Sequence, residues 1–291
     1  MSSLFRKSVI AMTLPTSLHP FDQALQLTPA GPHDPDTWLG STSPAYWNMV
    51  GPYGGTTAAT AVQAIMQHPD RLGEPVALTV NYASATVEGP FKIKATPVRT
   101  NRSTQHWVLS LSQTDAQGQT HTVMTATAMT ALRRDTWQSN DMPMPLVAQP
   151  QSVARADHTR TMEWLNRYDM RFVSGNIPAQ WDGSGSSSLT QLWVRDEPQR
   201  PLDFTSLTAL SDVFYPRIWL RRATHVPAGT VSMTIYFHAS AGQLFESGTG
   251  YLLAQAQAQA FRDGFFDQVA QLWTEAGTLL VSSTQLVYFK N

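Results

Sequence analysis

The stretches GTVSMTIYFH at residues 229–238 and LLVSSTQ at residues 279–285 decide the fold, because both have counterparts in the first half of the chain. The matching stretches are LTVNYA at 78–83 against residues 233–238, and the turn TDAQG at 114–118 against TEAG at 274–277. A repeat of about 160 residues is much longer than the roughly 20–50 residues of a solenoid unit. The repeat therefore predicts two similar halves.

Length and composition fit two globular domains. The chain has 291 residues, of which 42% are hydrophobic, enough for a sizeable core in each half. Only 14% of the residues are charged and the formal net charge is -1. Because this balance gives no electrostatic surplus, we expect no nucleic-acid partner and no attraction to an anionic bilayer.

The chain carries no convincing membrane or export signal. No stretch approaches the roughly 18–20 apolar residues that are needed to span a bilayer. Residues 5–14, FRKSVIAMTL, combine a basic pair with a short apolar run, but Thr13 and Pro15 cut this run below a signal peptide. The absence of cysteine excludes disulfides, thiolate metal ligands and a cysteine nucleophile. The expected location is the cytoplasm.

Each half contains one predicted helix and several predicted strands. The sequence GPYGG at residues 51–55 opens a helix at 56–66 made almost wholly of small and apolar residues, and such a helix is buried. The first half further has strand-like runs at 24–27, 77–82, 91–98, 106–113 and 122–132. The second half has a predicted helix at 204–215 and strands at 231–238, 251–258, 265–273 and 278–289.

A buried helix followed by a meander of long antiparallel strands predicts an α+β unit in which the sheet wraps the helix. Residues 138–157 are rich in proline and polar side chains and show no hydrophobic period, which is typical of a connector. We therefore predict an N-terminal domain at residues 1–137, a linker at 138–157 and a C-terminal domain at 158–291. The two sheets are expected to join into one.

Motifs for metals and nucleotides are missing. The eight histidines form no His-x-x-x-His or glutamate-containing zinc pattern, and no Gly-x-Gly-x-x-Gly run follows a strand. We expect neither a metal site nor a cofactor.

The two halves differ in their polar residues. The second predicted helix contains Asp212, whereas the first has no carboxylate. Matching the final strands through their turn glycines places Ala126 opposite Gln285, and matching the earlier strands places Pro75 opposite Thr230. This asymmetry predicts one site in each chain, close to the seam between the halves.

From the residues alone, these side chains also have structural explanations. Asp212 lies off the apolar side of its predicted helix, as a solvated carboxylate would. Thr230 suits the start of a strand, and Gly54 and Gly55 suit the entry to a helix. Gln285 shares a strand face with apolar residues, so that its amide must find partners there.

Several short motifs together resemble the type II acyl-CoA thioesterases. They are GPYGG at 51–55, RTNRS at 99–103, WVRD at 193–196, PLD at 201–203, LSD at 210–212, GT at 229–230 and STQ at 283–285. The similarity extends from about Phe21 to the C-terminus. It implies a double hot-dog, in which two helix-in-sheet units follow each other in one chain.

The resemblance also implies an activity, the hydrolysis of acyl-CoA thioesters. It assigns to Asp212, Thr230 and Gln285 the holding and activation of the attacking water, and such general-base chemistry needs no covalent intermediate. Backbone N–H groups at Gly54 and Gly55 would supply donors to the substrate oxyanion. The chain departs from the family at Ser232, where many relatives are acidic, and at Thr56, where they have a larger residue.

Two other functions stay open at this stage. The first is a catalytically silent double hot-dog that binds acyl groups or assembles a complex, although such a module would be expected to lose part of the polar set. The second is a hot-dog hydratase, which needs an aspartate and histidine pair that is not visible here. Acyl chain length and subunit number are not determined by the sequence, and a homodimer or a higher homo-oligomer is compatible with it.

Overall fold

The computed structural model describes residues 18–158 and 162–290. The elements of the first half are α1 (Pro20–Ala24), β1 (Thr28–Pro29), β2 (Thr37–Ser41), α2 (Gly54–Gln67), β3 (Glu74–Tyr82), β4 (Pro90–Thr100), β5 (Thr104–Thr114) and β6 (Thr120–Ala131). Those of the second half are β7 (Tyr168–Ser174), β8 (Thr190–Asp196), α3 (Phe204–Leu210), α4 (Arg217–Arg222), β9 (Ala228–Phe237), α5 (Ala241–Ser247), β10 (Leu252–Gln257), β11 (Phe261–Arg262), β12 (Phe265–Thr274) and β13 (Leu279–Phe289).

One antiparallel sheet of 13 strands runs through both halves. Its order is β1-β2-β4-β5-β6-β3-β9-β13-β12-β10-β8-β7, with β11 paired to β12 at the side. The halves meet where β3 pairs with β9, and Thr79 faces Thr234 at the centre of this pairing. Their hydroxyl oxygens are 3.0 Å apart. The predicted joining of the two sheets is confirmed.

The two helices α2 and α3 form the centre of the molecule. Every residue of α3 is buried, and so are most residues of α2. They pack against one another, with the Tyr53 hydroxyl just before α2 donating a 2.6 Å hydrogen bond to the Ala209 carbonyl of α3. Since neither helix has a charged face, only a sheet curved around them can keep them from water. The fold is the predicted α+β double hot-dog.

Two local predictions were wrong. Residues 24–27 do not form a strand: α1 ends at Ala24 and the following strand begins only at Thr28. The helix predicted at 204–215 ends at Leu210. The Ser211 hydroxyl donates a hydrogen bond to the Leu207 carbonyl, and the chain turns at Asp212. A serine side chain that hydrogen-bonds to a backbone carbonyl competes with the backbone hydrogen bonds that would continue the helix.

The pairing register also corrects the alignment of the two halves. Thr79 and Thr234 face each other at the junction, and taking them as equivalent makes Leu78 equivalent to Met233. On the last strand of each half, Leu78 pairs with Ala128 and Met233 pairs with Gln285. The residue opposite Gln285 is therefore Ala128 and not Ala126. The alignment through the turns failed because Gly118 lies five residues before the bulge at Val123, whereas the corresponding glycine of the second half lies only three residues before its bulge.

The segment between the halves crosses the outer face of the sheet in the second half of the molecule. Its carbonyl groups at Met142 and Ala148 accept hydrogen bonds from the indoles of Trp273 and Trp193. This packing covers tryptophans that would otherwise face water. The domain boundaries at 137 and 158 stay a prediction. The charged N-terminal run at residues 5–14 lies outside the described residues, and within them no helix is both long and apolar enough to cross a membrane.

Candidate functional site

The turn after α3 carries the carboxylate that the sequence singled out. Asp212 follows the end of the helix, and its backbone N–H donates to the Ala209 carbonyl at 3.1 Å. Asp212 is half-buried there, and its carboxylate accepts a hydrogen bond from Gln285. The explanation of Asp212 as a solvated helix carboxylate is therefore wrong.

Asp212 is held by one side chain and one backbone group. The Gln285 amide donates from Nε2 to Asp212 Oδ1 at 2.8 Å, and the Gly55 N–H donates a further hydrogen bond to the carboxylate. Burial raises the pKa of Asp212 to about 7, against the opposing effect of these two donors. The carboxylate keeps some exposure toward the adjoining pocket. A carboxylate with a pKa near neutrality is suited to exchange protons under physiological conditions.

Gln285 connects Asp212 to the third predicted residue. The Thr230 hydroxyl donates to Gln285 Oε1 at 3.2 Å, while the amide nitrogen, besides Asp212, lies 3.7 Å from the Met233 sulfur. Both ends of the amide are engaged, so its orientation is fixed. Thr230 and Gln285 lie on the neighbouring strands β9 and β13, which explains how residues 55 positions apart meet. The structure thus brings the three predicted residues into one hydrogen-bonded chain.

Gly54 and Gly55 lie at the start of α2, directly beside this chain. A Cβ atom on Gly54 would lie 2.9 Å from Asp212 Oδ2, and one on Gly55 would lie 2.6 Å from the Ala209 carbonyl oxygen. Both distances are too short for a real contact. The first glycine therefore makes room for the carboxylate, and the second makes room for the packing of α2 against α3.

Two tyrosines border the site. The Tyr82 hydroxyl donates to the Gly54 carbonyl at 2.9 Å, and burial raises the pKa of both Tyr53 and Tyr82 well above the usual value, with the nearby Asp212 adding to the shift. They stay neutral donors at any pH of interest. The ring of Tyr53 stacks on Trp164 with centroids 4.2 Å apart. These aromatic residues fix the beginning of α2 relative to Asp212.

A pocket of about 440 Å³ opens onto Asp212, Thr230 and Gln285. At its outer end it is lined by exposed loop residues such as Met49 and Val50. The buried lining residues, which form its inner end, are Tyr53, Thr57, Trp164, Phe214, Tyr215, Trp219, Phe266, Gln268, Gln285 and Val287. Most of the buried lining residues are aromatic or aliphatic, and exposed loop residues line the opening. This arrangement suits a long molecule with an apolar end.

Asp196 is a second buried carboxylate with a raised pKa, and it is distinguished from Asp212 by its position relative to the pocket. Burial raises the pKa of Asp196 to about 7 as well, although the Ser206 hydroxyl donates to it at 2.5 Å. Asp196 is 3% exposed and does not line the pocket. A raised pKa alone would select both residues, whereas contact with the pocket selects Asp212.

The first half lacks the same polar groups at the equivalent positions. Pro75 takes the place of Thr230, and Ala128 takes the place of Gln285. On the adjacent strands, Trp107 pairs with Ala128 as Gln268 pairs with Gln285. Where the second half has amides beside a pocket, the first half has a buried indole.

Within residues 18–158 and 162–290, no group of three or more histidine, aspartate or glutamate side chains is placed to hold a metal ion. A carboxylate such as that of Asp212 can activate water directly, without a metal ion.

Comparison with protein families assigns both halves of the chain. A model of the acyl-CoA thioesterase N-terminal domain matches residues 43–131, and a model of the acyl-CoA thioesterase C-terminal domain matches residues 143–289. The chain belongs to the acyl-CoA thioesterase family. No match was found among curated protein sequences.

Solved structures share the fold over nearly the whole chain. A hot-dog protein of unknown function from Alicyclobacillus acidocaldarius is 42% identical, with a TM-score of 0.87 over 94% of this chain and 99% of that one. An acyl-CoA thioesterase II from Mycobacterium marinum is 15% identical, with a TM-score of 0.71 over 93% and 98%. The dehydratase domain of PpsC from Mycobacterium tuberculosis is 11% identical, with a TM-score of 0.54 over 94% and 100%. The similarities to the last two structures, at 15% and 11% identity, concern the fold alone, which hosts more than one reaction.

Reasoning from the sequence missed Tyr82 and Gln268. Gln268 had a signal that was not used: it lies between Phe266 and Ala270 on the same face of a predicted strand, as Gln285 lies between apolar residues on its own strand. Tyr82 had no such signal, because its contact with the beginning of α2 joins elements far apart in the chain.

Proposed function

We propose that the protein hydrolyses acyl-CoA thioesters to a free carboxylic acid and coenzyme A, with Asp212, Thr230 and Gln285 holding and activating the attacking water. The observation that carries this proposal is the hydrogen-bonded chain from Asp212 through Gln285 to Thr230 at the edge of a partly apolar pocket. Membership in the acyl-CoA thioesterase family supports the choice of substrate class.

The hydrogen bonds define what each group can do to a water molecule. The Gln285 amide donates a hydrogen bond to Asp212 Oδ1 and accepts one from the Thr230 hydroxyl. Asp212 Oδ2 and the lone pairs of Thr230 Oγ1 are therefore left as acceptors. A water that donates one hydrogen to each of them directs its own lone pair toward the substrate. Its position and orientation are then set before the reaction begins.

Asp212 takes a proton from the water in the first step and returns it to the leaving thiolate in the second. As the water oxygen bonds to the thioester carbon, its proton passes to the carboxylate, giving a tetrahedral oxyanion. The carbon–sulfur bond then breaks, the acid leaves with the new oxygen, and the coenzyme A thiolate recovers the proton from Asp212. No covalent bond to the enzyme is required.

The oxyanion needs a donor close to the beginning of α2. The Gly55 N–H is already used by Asp212, whereas Gly54 is the first residue of the helix, where N–H groups have no intrahelical acceptor. We therefore assign the substrate contact to the Gly54 N–H and a holding role to Gly55. Donors that are fixed before the reaction stabilise developing charge without reorganisation.

The pH dependence should report Asp212. Because the base acts only when ionised and burial raises its pKa to about 7, kcat/KM should rise about tenfold per pH unit below about pH 7 and level off above it. A carboxylate with an ordinary pKa would place this rise near pH 4 instead. The measurement is thiol release from about pH 5 to about pH 9, corrected for spontaneous hydrolysis in buffer; a rate that is flat between about pH 5 and about pH 8 would contradict the assignment.

The proposal itself is tested by thiol release across acyl-CoAs of increasing chain length. Release that saturates with substrate and depends on chain length supports hydrolysis and gives the preference at the same time. Binding of acyl-CoA with no release would instead identify a catalytically silent acyl-binding protein.

We further propose that each chain has one hydrolytic site, that the protein is located in the cytoplasm and that it assembles into a homo-oligomer. The single site is supported by Pro75, Ala128 and Trp107, which leave no water-binding groups in the first half at the positions of Thr230, Gln285 and Gln268.

A further inference from the structure

Gln268 is a buried amide without a partner. It lies on β12 on the inner face of the sheet, is 4% exposed and lines the pocket. Among the described residues its side chain makes no hydrogen bond. A glutamine amide offers two donors and an acceptor oxygen, and a ligand that covers these atoms without pairing them leaves them unsatisfied at a cost. The remaining direction in which they can be satisfied is the pocket itself.

The comparison of the two halves shows that this amide is not required by the fold. Trp107 takes the place of Gln268 in the first half, is 1% exposed and donates its indole N–H to Thr130. A large side chain with its own partner thus fills the interior at that position. In the second half the side chain at this position is smaller and presents its amide to the pocket.

The surroundings of Gln268 indicate which part of a substrate it meets. Phe266 precedes it on the same strand face, and the other buried lining residues are mostly aromatic or aliphatic, among them Phe214, Tyr215, Trp219 and Val287. An apolar inner end is where the acyl group would lie. An unsubstituted alkyl chain at this place would cover the Gln268 amide without forming a hydrogen bond to it.

The distance from the reacting atoms is also constrained. Gln268 is the direct cross-strand partner of Gln285, and adjacent strands are about 4.8 Å apart. Gln285 in turn contacts the proposed base. A group paired with Gln268 therefore lies only a few bonds from the thioester carbonyl, at carbon 2 or carbon 3 of the acyl chain.

We propose that Gln268 is a specificity-determining residue that hydrogen-bonds a hydroxyl or carbonyl substituent on carbon 2 or carbon 3 of the acyl group. The inference rests on the proposed thioester hydrolysis. It gives this site a preference for acyl groups with a polar substituent near the carbonyl over plain alkyl chains of equal length. Sites that hydrogen-bond a substrate group reject analogues without it, because their own polar atoms are then left unpaired.

The test compares acyl-CoAs of equal length with and without a hydroxyl or oxo group at carbon 2 or carbon 3. The wild-type kcat/KM should favour the best polar substrate by about 10- to 100-fold over the alkyl one. Gln268→Met keeps the length and removes the polar atoms, so it should lower kcat/KM for the polar substrate and raise it for the alkyl substrate. The matched control is Gln271→Met on the same strand but outside the pocket, which should not alter the ratio.

A binding measurement separates this inference from the proposed function. Non-hydrolysable thioether analogues of the hydroxyacyl and alkyl substrates are titrated into the wild type and into Gln268→Met, with melting curves to confirm that both are folded. Tighter binding of the hydroxyl analogue that is lost in Gln268→Met supports the role of Gln268, even if no acyl-CoA is hydrolysed and the proposed function fails. Equal binding of both analogues to the wild type overturns it. So does an equal loss of kcat/KM for both substrates in Gln268→Met, which would point to a contact with the thioester carbonyl or the water.

Discussion

Replacing Asp212 by asparagine should lower kcat for acyl-CoA hydrolysis by about 10²–10⁴-fold, the usual contribution of a general base. Asparagine keeps the shape of the side chain and can still accept the Gln285 hydrogen bond through its amide oxygen. It cannot take the proton of the attacking water. The measurement is steady-state thiol release by the wild type and the variant, in which KM should change little because the substrate keeps its other contacts.

Asp196→Asn is the matched control for this experiment. Asp196 is also buried and its pKa is also raised to about 7, but it does not line the pocket. The same substitution there should leave kcat close to that of the wild type. If Asp212→Asn is as active as Asp196→Asn in a wild type that releases thiol, Asp212 is not the base.

The hydrogen-bonded chain further predicts that its members act together. Thr230→Ala and Gln285→Ala should each cost less than Asp212→Asn, because each leaves the carboxylate in place. Combining either of them with Asp212→Asn should add little, since groups that act on one water are not additive. Losses that multiply in the double variants would show that Thr230 and Gln285 serve a step that does not involve Asp212.

The sequence predicted the fold because its signals are local. The small-residue helix α2 and the alternation of the long strands each lie within one continuous stretch, and the repeat of these stretches implies the second unit. The strands at Thr37–Ser41, Tyr168–Ser174 and Thr190–Asp196 were missed. They are short edge or near-edge strands, and their pairing partners rather than their own sequences define them.

The site was less accessible from the sequence because it depends on contacts between distant elements. The residues alone placed Asp212 in water, since nothing local shows that α3 ends at Leu210 or that Gly55 and Gln285 reach the carboxylate. The asymmetry between the two halves singled Asp212 out, but only the family resemblance implied a catalytic role for it. Gln285 was different, because strand alternation showed that its amide must be buried, and a buried amide requires partners.

Replacing Gly54 by alanine should lower kcat by about 10- to 100-fold while the protein remains folded. The new Cβ would lie 2.9 Å from Asp212 Oδ2, so the carboxylate must move away from the position in which it holds the water. Misplacement of a reacting group by about 1 Å is enough to cost about 10²-fold in rate. The backbone should tolerate the change, since alanine favours a helix over glycine by about 0.5–1 kcal/mol. The measurement is kcat by thiol release together with the melting temperature.

Gly55→Ala should differ by lowering the melting temperature, and this contrast makes the prediction specific. A Cβ at Gly55 would lie 2.6 Å from the Ala209 carbonyl oxygen and from the ring of Tyr53, so it would push α2 away from α3. Backbone atoms of a buried helix cannot yield as a side chain can, and the melting temperature should fall. A Gly54→Ala variant that is fully active would show that Asp212 does not need its observed position. A drop in melting temperature as large as that of Gly55→Ala would show that Gly54 too serves the packing of the helices rather than the site.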